Sequence, residues 1–376
     1  MQIGVPKEIK NNEYRVGLTP AGVRELSERG HNIVVQQDAG LGIGFTDADY
    51  QQAGAQLATT AKQIFDAAEL IIKVKEPQPE ECLMLRENQI LFTYLHLAPD
   101  PQQTKLLLQS GATAIAYETV SDEKGGLPLL APMSEVAGRL SAQEGAACLK
   151  KAQGGSGVLM GGVPGVAPAK VCVIGGGVVG LNAAHIAMGM GADVTILDRS
   201  LTRLKQLDET YGGRIKTLYS TRESLEQQLA QSDLVVGAVL IPGASAPKLV
   251  TRDMLHLMKR GSVLVDVAID QGGCFETSKP TTHENPVYMV DGIVHYCVAN
   301  MPGAVARTST LALTNATLPY VLALADKGLN ALLENEYFLK GLNIHQGLVT
   351  CDAVAKALAY SYVAPENALQ NLKVSA

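Results

Sequence analysis

Short runs of β-branched and other apolar residues alternate along the chain with stretches of helical periodicity, the signature of a parallel sheet covered by helices. In the first third these runs predict strands over 3–5, 33–36, 70–74, 90–95 and 113–117. Between them, residues 20–29 read as a helix behind the N-cap type Thr19, and residues 102–109 as another that opens after a Pro-Asp-Pro turn. A longer helix is predicted over 134–152, capped by Ser134, with Glu135 early and Lys150 and Lys151 late, the charge order a helix dipole favours. The next segment, GGSGVLMGGVPGVAPAK (154–170), is a loop or domain junction by its glycine and proline content. Alternation then restarts, with strands over 171–174, 194–197, 234–239 and 263–267, and a further helical stretch opens at Thr308. The expected layout is discontinuous: one domain over 131–304, and another made of 1–130 and 305–376.

A weak internal echo links the two halves. AAELIIKV (67–74) resembles QSDLVVGAV (231–239), and each half later carries a buried strand, QILFTYLH (89–96) and SVLVDVAID (262–270). The first runs out at His96 and the second at Asp270. Open α/β sheets bind ligands outside the carboxyl ends of their strands, so halves that face each other would turn both residues into one cleft. Taken alone, His96 is either a satisfied core histidine or a proton carrier.

Composition narrows the class. The 376 residues suffice for two domains, and 47% hydrophobic with 18% charged residues describes a globular chain with a large core. Thirty-seven glycines, no tryptophan and 5% aromatics suit close helix-on-sheet packing. A formal charge of −6 leaves no basic footprint for nucleic acid. The cysteines at 82, 148, 172, 274, 297 and 351 are scattered, without a CxxC pair or Cys/His cluster. No metal site and no disulfide framework is therefore expected, and the thiols read as reduced residues of a cytoplasmic protein. The N-terminus MQIGVPKEIK lacks the pattern of a secretory signal. Polar residues and prolines interrupt the apolar spans 158–180 and 311–325, so neither reads as a membrane helix.

The strongest chemical signal is AKVCVIGGGVVGLNAAHIAMGMGADVTILD (169–198). Gly175, Gly177 and Gly180 form a GxGxxG directly after an apolar strand and open an alanine-rich helix; a second strand then ends in Asp198. Gly175 allows the tight turn, Gly177 lets backbone approach a pyrophosphate, and Gly180 permits close packing. The helix N-terminus offers N–H donors to phosphate. Asp198 accepts from ribose hydroxyls and repels a 2′-phosphate, favouring NAD over NADP, although Arg199 stands beside it. In GVPKEIKNNEYRVGLTP (4–20), Arg15 lies in a loop after the first strand and is either an anion clamp or a solvated loop arginine. In LIIKVKEP (70–77), Lys73 and Lys75 share one strand face by alternation, as functional amines or as side chains snorkelling to solvent.

Together with YLHLAPD, GGVPGVAPAKVCVIGGGVVG and VDVAIDQGG, these last two segments resemble alanine dehydrogenases over essentially the whole chain. The resemblance implies an α/β fold of two Rossmann-like domains with parallel sheets, joined by long helices around an interdomain cleft. It implies NAD as cofactor and reversible oxidative deamination of L-alanine to pyruvate and ammonium, in a cytoplasmic homohexamer. It assigns His96 and Asp270 as the catalytic pair, and Arg15 and Lys75 as the substrate clamp. NAD contacts fall to Ser134, the turn with Val178 and Val179, Asp198, Arg203 (a lysine in some relatives), Ser220, Val239, Leu240, Val267, Ala268, Ile269, Asp270, Lys279, Val298, Ala299, Asn300 and Met301. The NAD-binding subunit of proton-translocating transhydrogenase shares the nucleotide motifs; a different amino-acid oxidoreductase, of the lysine-ketoglutarate type, is the third reading.

Overall fold

The computed structural model describes residues 1–239 and 246–370. Two compact units emerge, one from Met1–Pro132 with the chain from Val305 onward, the other from Met133–Ala304. The first unit begins with strands β1 (Gln2–Val5), β2 (Asn32–Gln36), β3 (Gln56–Ala58), β4 (Leu70–Ile72), β5 (Ile90–Thr93) and β6 (Thr113–Ala116). The second holds β7 (Lys170–Ile174), β8 (Asp193–Asp198), β9 (Ile215–Tyr219), β10 (Leu234–Gly237), β11 (Val263–Asp266), β12 (Val287–Val290) and β13 (Ile293–Tyr296). The chain then returns to the first unit for β14 (Leu342–His345) and β15 (Leu348–Val349).

In the first sheet the order is β15-β14-β6-β5-β4-β1-β2-β3. β1 to β6 run parallel; β14 and β15 add an antiparallel edge. β4, β5 and β6 are buried at every position, which explains why they are apolar apart from the end residues Thr93 and Thr113: strands of a parallel sheet covered on both faces have no face left for solvent. The second sheet, β12-β13-β11-β10-β7-β8-β9, is parallel except for β12. Each order reverses once, between β1 and β4 in the first sheet and between β7 and β10 in the second.

The helix after β1 spans Pro20–Glu28, with Thr19 accepting from the Gly22 N–H and Pro20 in the first turn. The long central helix differs from its expected bounds. It covers Ala131–Cys148, so Ser134 lies inside its first turns and caps nothing, and Lys150 and Lys151 fall beyond its end. Pro132 is tolerated because a first-turn N–H has no intrahelical acceptor. At Gly138 an added Cβ would come within 2.2 Å of the Val179 carbonyl oxygen, so this helix and Val178–Gly189 meet backbone to backbone.

Six strands escaped the alternation pattern: β3, β9, β12, β13, β14 and β15. β3, β9, β12 and β15 are edge strands, half-exposed or very short. β13 and β14 are fully buried but carry polar side chains that are satisfied internally. His295 bonds Thr277 at 2.8 Å, His345 bonds Thr113 at 2.9 Å, and Asn343 donates to Thr119 at 2.7 Å.

Candidate active site

Three consecutive parallel strands of the first sheet, β1, β4 and β5, release their loops at the same edge, next to the point where strand order reverses. Those loops carry Arg15, Lys75 and His96. The β1 loop also lines a hollow of about 460 Å³ bordered by Lys7, Lys10, Asn12, Glu13, Arg15 and Asp38.

Arg15 is no solvated loop residue: it is 2% exposed. Its Nε and Nη2 donate to the two carboxylate oxygens of Glu13 at 2.7 and 2.6 Å, which fixes the plane of the guanidinium. Burial works against its charge, but the Glu13 hydrogen bonds and charge outweigh it, so the group stays cationic.

The two lysines do not share an environment. β4 ends at Ile72, and Lys73 is fully buried between Glu8 (2.9 Å) and Glu81 (2.8 Å). Burial opposes its charge, and the two carboxylates more than reverse that effect, holding its pKa above the ordinary lysine value. Lys73 therefore neither snorkels nor reaches a ligand; it is a structural ion. Glu8, whose carboxyl is pushed up by burial, also accepts from the backbone N–H of Val74 (2.7 Å) and Lys75 (3.3 Å). Lys75 itself is 14% exposed, with its ammonium 3.6 Å from Glu76.

His96 lies three residues past the end of β5, and its side chain is 44% exposed. It is not a core histidine. Its backbone is left-handed, with φ 48°, and its ring stacks on Tyr94 at 5.8 Å with 7° between planes. Glu118, just after the neighbouring strand β6, accepts from the backbone N–H of His96 at 2.6 Å and of Leu95 at 3.2 Å.

In the second unit the candidate cofactor residues again follow strand ends on one edge. Gly175 leaves β7 with φ +100°, and Gly177 caps the helix Val178–Gly189. A Cβ on Gly180 would stand 1.8 Å from the Gly175 carbonyl oxygen, whereas a Cβ on Gly177 would meet nothing within 4 Å. The first glycine is demanded by packing; the second faces open space at a helix N-terminus, as a phosphate cradle requires. Asp198 ends β8 and accepts from Gly176 N–H at 2.7 Å and Ser200 N–H at 2.8 Å. Arg203 donates through Nε to the Gly176 carbonyl at 2.6 Å, so it braces the turn directly. Ser220 follows β9 and donates its N–H to the Asp198 carbonyl at 2.9 Å. Val239 follows β10; Leu240 lies outside the described residues.

Asp270 does not end a strand. β11 stops at Asp266, and Val267, Ala268, Ile269 and Asp270 form a 3-10 turn. Asp266 is buried, its carboxyl pushed up by that burial, and it accepts from Ala268, Cys274 and Phe275 N–H groups and from the Ser278 hydroxyl at 2.5 Å. Asp270 is exposed and accepts from Asn300 N–H at 3.3 Å. Val298 and Met301 are buried, at 0% and 2%, while Ala299 and Asn300 between them are half-buried. Lys279 lies with its ammonium 4.5 Å above the Tyr288 ring. Among the described residues no group of three or more His, Cys, Asp or Glu is arranged to hold a metal, and no helix is long and apolar enough to cross a membrane.

Sequence reasoning missed the carboxylates that organise these loops: Glu8, Glu13, Glu81, Glu118 and Asp266. Only Glu13, two residues before Arg15, had a local signal.

Residues 4–137 match the family model for the alanine dehydrogenase/PNT N-terminal domain, and residues 141–352 that for the C-terminal domain. An alanine dehydrogenase of Halomonas elongata is 65% identical over 364 residues, covering 96% of this chain and 98% of its own length. The Bacillus subtilis alanine dehydrogenase is 56% identical over 373 residues, 99% of this chain and 98% of that one. A solved L-alanine dehydrogenase superposes with TM-score 0.93 at 52% identity, over 96% of this chain and 99% of that one. A transhydrogenase from Sinorhizobium meliloti superposes with TM-score 0.80 at 27% identity, over 94% of this chain and 100% of that one.

Proposed function

The chain belongs to the alanine dehydrogenase/PNT family and is an oxidoreductase, and on that premise we propose that it interconverts L-alanine and pyruvate with NAD. In the forward direction L-alanine, NAD and water give pyruvate, ammonium, NADH and a proton. One observation carries the reading: Arg15, Lys75 and His96 follow three adjacent parallel strand ends at the reversal point of the first sheet. The same chain has a glycine turn whose Gly177 faces open space.

Gly175 to Val179 with Asp198 would hold the dinucleotide, phosphates at the helix N-terminus and ribose at the carboxylate. Bound there, NAD supplies the hydride acceptor for the substrate α-carbon. Arg15, its plane held by Glu13, binds the substrate carboxylate. Lys75 polarises the pyruvate carbonyl oxygen and stabilises the alkoxide that develops on it. His96 takes the proton from the substrate amine and relays protons as the imine is hydrated. Asp270 holds the ammonium, the water or the incoming ammonia. The remaining cofactor contacts are assigned to Ser134, Arg203, Ser220, Val239, Leu240, 267–270, Lys279 and 298–301. Cytoplasmic location rests on the scattered thiols and the resemblance, and a homohexamer on the resemblance alone.

The transhydrogenase likeness favours one rival, an NAD-binding unit that passes hydride to a partner protein. The purified chain should form NADH from L-alanine and NAD with no other protein present; absence of NADH formation under conditions where NADH binds would favour the rival. A panel of 2-oxo acids with ammonium and NADH should give pyruvate as the best substrate, against a bulkier keto acid for a lysine-ketoglutarate type of enzyme.

A further inference from the structure

We infer that Glu118 is the positioning residue of His96: its carboxylate holds the histidine's left-handed backbone and directs ring nitrogen Nε2 to the substrate. The inference rests on the reading of His96 as the proton carrier.

Four observations converge on it. His96 has φ 48°, a conformation uncommon for residues with a Cβ and held where the surroundings impose it. The Glu118 carboxylate supplies that imposition, accepting from the Leu95 and His96 N–H groups, the His96 bond being 2.6 Å. These are two N–H groups beyond the end of β5, where the sheet no longer provides acceptors. The same carboxylate stands 3.8 Å from His96 Nδ1, within reach of a charge on the ring and too long for a direct hydrogen bond. The Tyr94 ring lies parallel to the imidazole, with centroids 5.8 Å apart, and covers one of its faces. Tyr94 is itself anchored by its hydroxyl, which donates to the Leu129 carbonyl at 2.5 Å.

With Nδ1 on the Glu118 side, Nε2 is the nitrogen left to exchange protons, and it has no partner among the described residues. The imidazolium formed on taking a proton from the amine is stabilised by the nearby carboxylate, and the neutral ring is recovered when the proton is passed on. The other titratable groups around the pair do not compete. Burial pushes the Tyr94 hydroxyl far up, and burial likewise raises the Cys351 thiol near Glu118. Glu118 comes from a different strand end than His96, which hid the pairing from any local motif.

The test compares wild type with Glu118→Gln, Glu118→Ala, His96→Ala and the double variant His96→Ala/Glu118→Gln. NADH binding, read by fluorescence, is the control for folding and should be unchanged in all. Glu118→Gln keeps an acceptor oxygen and loses the charge; kcat should fall about 10–100-fold, the range for groups that orient a reacting one. The loss should fall on kcat with KM for L-alanine little changed, because Glu118 acts on the proton carrier and not on the substrate. Glu118→Ala should fall further. In the His96→Ala background Glu118→Gln should cost nothing more, since it acts only through the imidazole. Wild-type kcat in Glu118→Gln, a loss carried by KM instead of kcat, or full additivity in the double variant would overturn the inference while leaving His96 as the proton carrier. Near-wild-type turnover by His96→Ala would overturn the underlying reading itself.

Discussion

At the scale of single residues, the same residue type serves opposite ends two positions apart. Lys73 is enclosed by Glu8 and Glu81, and Lys75 borders the candidate site. Alternation put both on one strand face and had no means to separate them, because the partners of Lys73 lie 65 residues upstream and 8 residues downstream. Lys73→Met should destabilise the protein by about 3–5 kcal/mol, since two buried carboxylates then face each other without a cation. The pH dependence has a definite sign. Without Lys73, the folded state raises the carboxyl pKa values above those of the unfolded chain, as burial already does for Glu8. The folded state then holds more protons, so the variant loses stability as pH rises through and above the ordinary carboxylate range. Urea midpoints should show a larger deficit relative to wild type at pH 8 than at pH 5; an equal deficit at both would mean the carboxylates remain compensated. Lys75→Ala should leave those midpoints unchanged and reduce turnover instead.

Among the elements, the strands whose neighbours are apolar on both faces were legible, and so was the glycine turn. Its spacing encodes three separate geometric demands, and the structure meets them with different strictness. Gly180 is fixed by the Gly175 carbonyl that an added methyl would strike, while Gly177 faces nothing in the protein. Gly180→Ala should therefore overpack the helix–strand contact, costing about 1–3 kcal/mol or more, and weaken NADH binding as a consequence. Gly177→Ala should leave the melting temperature unchanged, because its φ of −67° suits any residue and no atom is displaced. It should still weaken NADH binding by about tenfold or more, about 1.4 kcal/mol, by filling the approach of the pyrophosphate. Calorimetry and NADH titration on the pair check this; equal NADH affinity in Gly177→Ala and wild type would move the cofactor away from this turn. The elements that stayed hidden, β13 and β14, bury His295, Asn343 and His345 on strands that otherwise look apolar. Their partners Thr277, Thr119 and Thr113 are supplied by other segments, which no local pattern can announce.

Over the whole molecule, two sheets built on the same plan carry different chemistry at their reversal points. The first has an arginine, a lysine and a histidine on consecutive strand ends; the second has a glycine turn, an aspartate and backbone segments. If function divides as the sheets do, substitutions in the first unit should move substrate parameters and leave cofactor binding alone. Arg15→Lys keeps the charge but loses the planar fork that Glu13 orients. It should weaken pyruvate binding by about 1.5–3 kcal/mol with NADH affinity intact. Asp270 is the informative exception. It belongs to the second unit, yet its proposed role is chemical, and its surroundings agree: Asp266 is buried and accepts from four donors, whereas Asp270 is exposed and, among the described residues, accepts at long range from Asn300 N–H. Two acids four residues apart in VDVAID thus divide into one that builds the turn and one that the turn presents. Asp270→Asn should accordingly preserve the turn and the melting temperature and lower kcat by about 10²–10⁴-fold, the range for a group that handles protons or charge in the reaction, with a much smaller loss of NADH affinity from its part in the 267–270 cofactor segment. Asp266→Asn should do the reverse, lowering the melting temperature and NADH affinity together, because one of the acceptor oxygens becomes a donor facing N–H groups. Stopped-flow binding and steady-state turnover on the two variants separate these outcomes. A loss of NADH affinity in Asp270→Asn as large as its loss of kcat would make Asp270 a cofactor contact alone and remove it from the chemistry.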